Sequence, residues 1–218
     1  MILIALHGFF GVPEDWDEVA KKHPDLEVVT PDLSVWATRK EVTDFESFAR
    51  SMNRSVRILS EERAEPVMIV GYSLGARLAS ACVLAEPELY RAALLMSVNP
   101  GLADGDVEGR QARLEFDRAW AMRMRRSAWA ETWKAWNEQV VLKPGSRAIR
   151  HAEIVGREDK ITRTLEGRRE AWARAMEIWS LGHQPDCRQA LLSWATGSAA
   201  HPRPLTVMTG TEDSKFTE

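Results

Sequence analysis

The sequence predicts an α/β fold: a mostly parallel sheet, with a block of helices inserted ahead of the last recognisable strand. Two patterns carry this reading. Over roughly the first 100 residues, short apolar runs that stop at glycine or proline alternate with amphipathic stretches. From about residue 107 to about residue 190 no strand signature remains, and Arg, Ala, Glu and Trp dominate.

Met1 to Leu6 (MILIAL) is apolar throughout and runs into His7-Gly8, as a strand buried on both faces does. Pro13 to Lys22 is predicted as a short helix, and Leu26 to Leu33 as the next strand, stopped by Pro31. From Thr43 to Glu62, Phe45, Phe48, Met52, Val56 and Leu59 recur every three or four residues behind a capping Thr43 or Asp44, which predicts an amphipathic helix. Val67 to Val70, Leu74 to Leu84 and Ala92 to Met96 then read as strand, helix and strand. This alternation predicts parallel pairing through right-handed crossovers. After Asn99-Pro100-Gly101 the rhythm changes, and strand character returns only at Pro204 to Met208. The expected division is therefore a core of residues 1–100 and 191–218 with a helical cap of residues 101–190. The cap is expected over the carboxyl edge of the sheet, where open α/β sheets bind ligands.

Bulk properties exclude several classes of function. A formal charge of -3 and a pI near 6.0 give no electrostatic case for nucleic acid or an anionic membrane. Arginines crowd between Arg110 and Arg174 among interspersed acids, which fits either a solvated helical surface or an anion-binding pocket. Cys82 and Cys187 lie far apart without C-x-x-C spacing, against zinc, iron-sulfur or redox sites, and no metal is expected. No signal-length or membrane-length apolar segment precedes or interrupts the pattern, so a soluble cytoplasmic protein is expected.

The chemistry is carried by Gly71-Tyr72-Ser73-Leu74-Gly75, a G-x-S-x-G sequence between an apolar strand and a helix. In that setting the glycines relieve crowding at a sharp turn that lifts a nucleophilic serine into the site. The alternative is a glycine-rich turn with no chemistry. His7-Gly8-Phe9 ends the first strand, where α/β-hydrolases build half of an oxyanion hole. The N–H groups of Phe9 and Leu74 are expected to converge on the developing oxyanion. His7 is read as a structural histidine of that loop. Asp213, just after Gly210, stands where the acid of a Ser, Asp, His series belongs, with Glu212 as the solvated neighbour.

That order requires a histidine after Asp213, and the sequence has none. His7, His23, His151, His183 and His201 all precede it; His183 remains open as a spatial substitute. The expectation is an α/β-hydrolase fold whose final strand-helix unit, on the order of 30 residues, is missing from this chain.

The residues together resemble one family, the 2-succinyl-6-hydroxy-2,4-cyclohexadiene-1-carboxylate synthases of menaquinone biosynthesis. The resemblance runs from H-G-F-F-G and G-Y-S-L-G-A-R through N-P-G-L and E-G-R-Q-A-R-L-E-F-D-R-A-W-A to S-L-G-H-Q-P-D and G-T-E-D-S-K-F. It implies a lyase with no cofactor: a base-activated Ser73 removes a proton from the succinyl side chain, and elimination releases pyruvate. It implies Ser73 and Asp213 as triad members, Phe9 and Leu74 as oxyanion donors, and Arg77 and Arg113 as partners of a polycarboxylate substrate. Tyr72, Trp136 and Gln184 would line the pocket.

Guanidinium forks suit such carboxylates, and Arg77 lies one helical turn beyond Ser73. Each assignment has a plainer counterpart: Arg77 as a surface residue of its helix, Arg110 or Arg118 in place of Arg113, Trp136 as cap core, Gln184 satisfied by its own loop. Without a terminal histidine the 218 residues are expected to be nearly inactive. A carboxylester hydrolase and a catalytically dead binding protein are the competing functions.

Overall fold

A computed structural model describes residues 1–139, 164–197 and 203–210. Five parallel strands form one sheet in the order β2-β1-β3-β4-β5: β1 (Ile2–Leu6), β2 (Glu27–Val29), β3 (Val67–Tyr72), β4 (Tyr90–Met96) and β5 (Leu205–Met208). All five residues of β1 are buried, because it lies inside the sheet with helical layers on both faces. Ile2, Ile4 and Leu6 join the large core with Ile69 and Leu95, while Leu3, Ala5 and Val70 pack with Trp16 on the other face. β5 is an edge strand among the described residues, with Val207 and Met208 about half exposed.

The early connections differ from expectation. Pro13 to Lys22 divides into a 3-10 turn (Pro13–Trp16) and a helix α1 (Asp17–Lys22). The strand predicted for Leu26 to Leu33 is confined to β2, and Leu33 instead opens a helix α2 (Leu33–Thr38). Pro31 has no N–H for a ladder, and Asp32 then caps the helix, its Oδ1 accepting from the Ser34 and Val35 N–H groups at 3.0 and 3.4 Å.

Helix α3 (Phe45–Arg63) starts as predicted at Asp44, whose Oδ1 accepts from the Ser47 N–H at 2.7 Å while Ser47 Oγ accepts from the Asp44 N–H at 3.0 Å. Its Phe45, Phe48, Met52 and Val56 are buried against helix α4 (Leu74–Ala85) and the sheet. Asn53 ties these layers together: its Nδ2 donates to the Cys82 carbonyl at 2.9 Å and its Oδ1 accepts from the Tyr90 hydroxyl at 2.6 Å.

Between β4 and β5 come α5 (Val107–Arg126), α6 (Trp129–Asn137), α7 (Arg169–Ile178) and α8 (Arg188–Thr196), with no strand among the described residues of that stretch. α8 begins three residues before position 191, and its Trp194 is anchored on the Pro87 carbonyl at 3.0 Å beside the end of α4. α7 is the keystone of the helical block. Arg125 of α5 grips Glu170 and Glu177 of α7 at 2.6 to 3.0 Å. On its other side Arg168 pairs with Asp32 at 2.6 Å, and Arg174 donates to the carbonyls of Ala37 and Val42 at 2.6 and 2.8 Å. Trp172, fully buried on α7, packs its ring 4.9 Å from Phe9 and 5.6 Å from Phe10. The helical block is thus seated on the loop after β1.

Two contacts at the carboxyl end of β1 set the positions of everything beyond it. A Cβ at Gly75 would lie 2.2 Å from the Leu6 carbonyl oxygen, and one at Gly71 would lie 2.4 Å from the Gly75 backbone, so α4 touches β1 and β3 main chain to main chain. His7 is buried, its Nδ1–H donating to the Gly8 carbonyl at 2.9 Å while Nε2 accepts the Leu33 N–H at 3.1 Å. Both ring nitrogens are thereby used by a neutral imidazole, and burial lowers the His7 pKa.

The Gly75→Ala variant is expected to lose at least about 3 kcal/mol of stability, read from urea unfolding, since backbone rather than a flexible side chain must give way. A loss under about 1 kcal/mol would contradict this close approach. For His7 the folded pKa lies below the unfolded value of about 6.5, so the unfolded chain takes up the proton first as pH falls. Stability should be level above about pH 6.5 and decline below it, and the decline between about pH 7.5 and about pH 5.5 should be smaller in His7→Gln. Equal pH slopes in the two proteins would contradict the neutral, doubly bonded imidazole.

Candidate active site

Ser73 sits between β3 and α4 with φ 52° and ψ -111°, a conformation that costs a non-glycine residue about 1 to 3 kcal/mol. The turn is held by the Ser73 N–H, which donates to the Met96 carbonyl at 2.9 Å, and by the Ser73 carbonyl, which accepts from the Arg77 N–H at 3.1 Å. Glycine at 71 and 75 is what lets the chain fold back this sharply. Among the described residues, Ser73 Oγ has no hydrogen-bond partner and lines a cavity of about 250 Å³. Phe9 and Leu74 line the same cavity. Leu74 is the first residue of α4, so its N–H lies outside the helical ladder, and the Phe9 N–H has no acceptor among the described residues.

Phe9 is braced from behind: its ring lies 4.6 Å from Phe10, 5.0 Å from Trp136 and 4.9 Å from Trp172. Trp136 therefore both walls the cavity and packs the loop that carries Phe9, a double role that helical spacing could not reveal. Tyr72 is about half exposed at the rim, its ring so close to Gly8 that a Cβ there would lie 2.9 Å from Tyr72 Cδ1.

Among the described residues, two arginines line this cavity, Arg77 and Arg113. Arg113 Nε donates to Asp117 Oδ2 at 2.8 Å, and Ser180 Oγ donates to the same oxygen at 2.7 Å. Asp117 is buried, and its Oδ1 has no partner among the described residues. Arg77 is held differently, by the Gln184 amide oxygen at 2.5 Å and the Trp179 carbonyl at 2.8 Å. Burial first, and then the neighbouring charge of Arg113, bring the Arg77 pKa down to about 9, with Asp117 partly offsetting them.

Arg110, the sequence alternative to Arg113, serves as a strut, donating to the carbonyls of Leu102 and Gln184 at 2.6 Å each. Arg118 is exposed and does not line the cavity. Gln184 departs from the expected placement. It lies behind Arg77 and walls an adjoining hollow of about 500 Å³ rather than the cavity at Ser73.

No described histidine lines the Ser73 cavity. His7 is committed to its loop, His23 follows α1, and His183 is exposed beside the adjoining hollow. His151, His201, Glu212 and Asp213 lie outside the described residues, so the expected triad acid has no geometry here. Among the described residues, no group of three or more His, Cys, Asp or Glu side chains could hold a metal ion, and no helix is long and apolar enough to cross a membrane. The sequence reading missed Ser97, Asn99, Asp117, Met176, Trp179 and Leu181 as cavity wall. Only Asp117 carried a legible signal, its spacing of four from Arg113 on one helix.

The arrangement joins a serine on a strained backbone, two main-chain donors without acceptors among the described residues, aromatic walls and two partly buried arginines. Such a cavity suits a small polyanion whose reacting carbonyl is polarised next to the serine.

Comparison with known proteins agrees with this geometry. A model of the alpha/beta hydrolase family matches residues 3–217. The chain is 32% identical over 218 residues to the 2-succinyl-6-hydroxy-2,4-cyclohexadiene-1-carboxylate synthase of Serratia proteamaculans (strain 568), covering 98% of this chain and 78% of that protein. It is 29% identical over 214 residues to the protein of the same name from Klebsiella pneumoniae (strain 342), with the same coverage of 98% and 78%. Among solved structures it resembles MenH from S. aureus, with a TM-score of 0.77 at 19% identity over 99% of this chain and 77% of that one. A malate-bound thermophilic esterase from Thermogutta terrifontis superposes with a TM-score of 0.70 at 19% identity over 96% of this chain and 71% of that one. At those identities the two structures speak for the fold alone. The family match and the 32% identical relative establish that this chain belongs to the alpha/beta hydrolase family and, within it, to the 2-succinyl-6-hydroxy-2,4-cyclohexadiene-1-carboxylate synthases.

Proposed function

We propose that the chain is a carbon-oxygen lyase of menaquinone biosynthesis that eliminates pyruvate from a succinyl-enolpyruvyl-cyclohexene carboxylate. The observation that carries the proposal is the convergence of Arg77 and Arg113 on the cavity that holds Ser73. An ester pocket has less need for several cations, whereas a substrate with several carboxylates is held and oriented by them.

In this reading Ser73, relieved of its proton by a base, takes a proton from the carbon beside the succinyl carbonyl. The electron pair is shared with that carbonyl, whose growing negative charge is met by the N–H groups of Phe9 and Leu74. Donors fixed in place before reaction contribute about 3 to 4 kcal/mol each in comparable sites. The pair then forms the new ring double bond as the enolpyruvyl oxygen departs, and the departing enolate gains a proton to become pyruvate. Arg77 and Arg113 bind carboxylates, and Tyr72 and Trp136 shape the wall. Asp213 is assigned to orient the base. No cofactor is required, since each step is a proton transfer or a bond cleavage that leaves oxidation state unchanged.

No described histidine lines the Ser73 cavity, and a serine hydroxyl at its ordinary pKa abstracts such a proton poorly, so this mechanism requires a base that accepts the Ser73 proton.

Pyruvate release, followed with lactate dehydrogenase and NADH, provides the test. Ser73→Ala should reduce pyruvate release to background. Cleavage of p-nitrophenyl acetate without pyruvate release would favour a carboxylester hydrolase. Pyruvate release equal in the chain and in Ser73→Ala would remove Ser73 from the mechanism.

A further inference from the structure

We propose that Gln184 is a positioning residue, which aims Arg77 at an anionic substrate through a contact that leaves its charge uncancelled. The inference rests on the reading of the Ser73 cavity as a polycarboxylate site.

Arg113, the other arginine at the cavity, takes the carboxylate of Asp117, as Arg125 takes Glu170 and Glu177 and Arg168 takes Asp32. Arg77 has no carboxylate partner among the described residues and, like Arg174, is held by neutral acceptors. Its Nε donates to Gln184 Oε1 at 2.5 Å and its Nη2 to the Trp179 carbonyl at 2.8 Å, both neutral acceptors, while Nη1 has no acceptor among the described residues. A neutral acceptor fixes the plane of a guanidinium without neutralising it. A buried cation so held is costly in an empty cavity, and the cost is relieved when a carboxylate enters.

Gln184 is built for this task. Its side chain is buried, and Nε2 donates to the Asn99 carbonyl at 2.9 Å, which sets the amide so that the oxygen faces Arg77. Its own backbone is pinned as well, the N–H donating to the Leu181 carbonyl at 3.2 Å and the carbonyl accepting from Arg110 at 2.6 Å. Arg77 lines both the Ser73 cavity and the adjoining hollow, whereas Gln184 lines only the hollow, so it holds the guanidinium without walling the substrate volume. Glutamate at this position would keep an acceptor for Arg77 and cancel its charge, while losing the donor to the Asn99 carbonyl. Methionine would keep the volume and lose the acceptor.

The test is a tryptophan-fluorescence titration of the 218-residue chain, since Trp136 and Trp179 both face the cavity. Succinate serves as the dianionic probe and succinamide as its neutral counterpart, with thermal melting as a check on folding. The unsubstituted chain should bind succinate in preference to succinamide. Gln184→Glu should weaken succinate binding by about tenfold or more and leave succinamide unchanged. Gln184→Met should weaken succinate binding severalfold. Succinate affinity unchanged in folded Gln184→Glu, or in Gln184→Met should the glutamate variant not fold, would overturn the inference and leave the cavity reading standing. An unsubstituted chain with no preference for the dianion would overturn the cavity reading and this inference together.

Discussion

The backbone of α4 lies against the end of β1 with no room for a side chain at Gly75, and the site depends on that contact. Because the helix starts so near the strand, the chain leaving β3 must reverse within a residue, and Ser73 absorbs the reversal at φ 52°. The same approach brings the loop after β1 alongside the first turn of α4, so Phe9 and Leu74 line one cavity with Ser73. Strain at a serine, costing about 1 to 3 kcal/mol, persists only where the surroundings fix it from several sides. Here those are the Met96 carbonyl, the Gly71 and Gly75 contacts, and the His7 ring that locks the β1 loop to α2.

The helical block adds charge to this frame. Its arginines mostly serve as mortar, joining α5 to α7 and α7 to α2, and one consequence is that Trp172 is pressed onto Phe9 and Phe10. Among the described residues, Arg77 and Arg113 are the arginines that line the cavity, and they are held by different chemistry. The carboxylate of Asp117 compensates Arg113, whereas Arg77 faces an amide and a carbonyl. On the proposed reading, a pocket with one cation paired to a carboxylate and one held by neutral acceptors gives an incoming anion a preferred end, at Arg77.

Much of this was legible in the residues. Short apolar runs located β1, β3 and β4, and the three-and-four spacing with Asp44 located α3 to within a residue or two. The G-x-S-x-G turn and the His-Gly loop located the serine and its flanking amides because each demands a particular backbone. What the sequence hid was partnership. The α2 helix was obscured because Val28, Val29 and Leu33 continue an apolar run, although Pro31 and the capping Asp32 divide it. Gln184 looked like a pocket residue, since nothing in local spacing tells a side chain that meets substrate from one that meets the arginine behind it. Arg110 and Arg113 are separated only by which face of α5 meets the loop at residues 180–186.

The central claim is that a strained serine and an uncompensated arginine share one small cavity. A crystal structure of the chain soaked with succinate tests it most directly. The account predicts Ser73 at positive φ and a carboxylate within about 3 Å of Arg77 Nη1, on the Ser73 side of the guanidinium. Ser73 in an ordinary extended or helical conformation, or succinate bound away from Arg77 with the cavity closed by Arg77 turned onto Asp117, would contradict it.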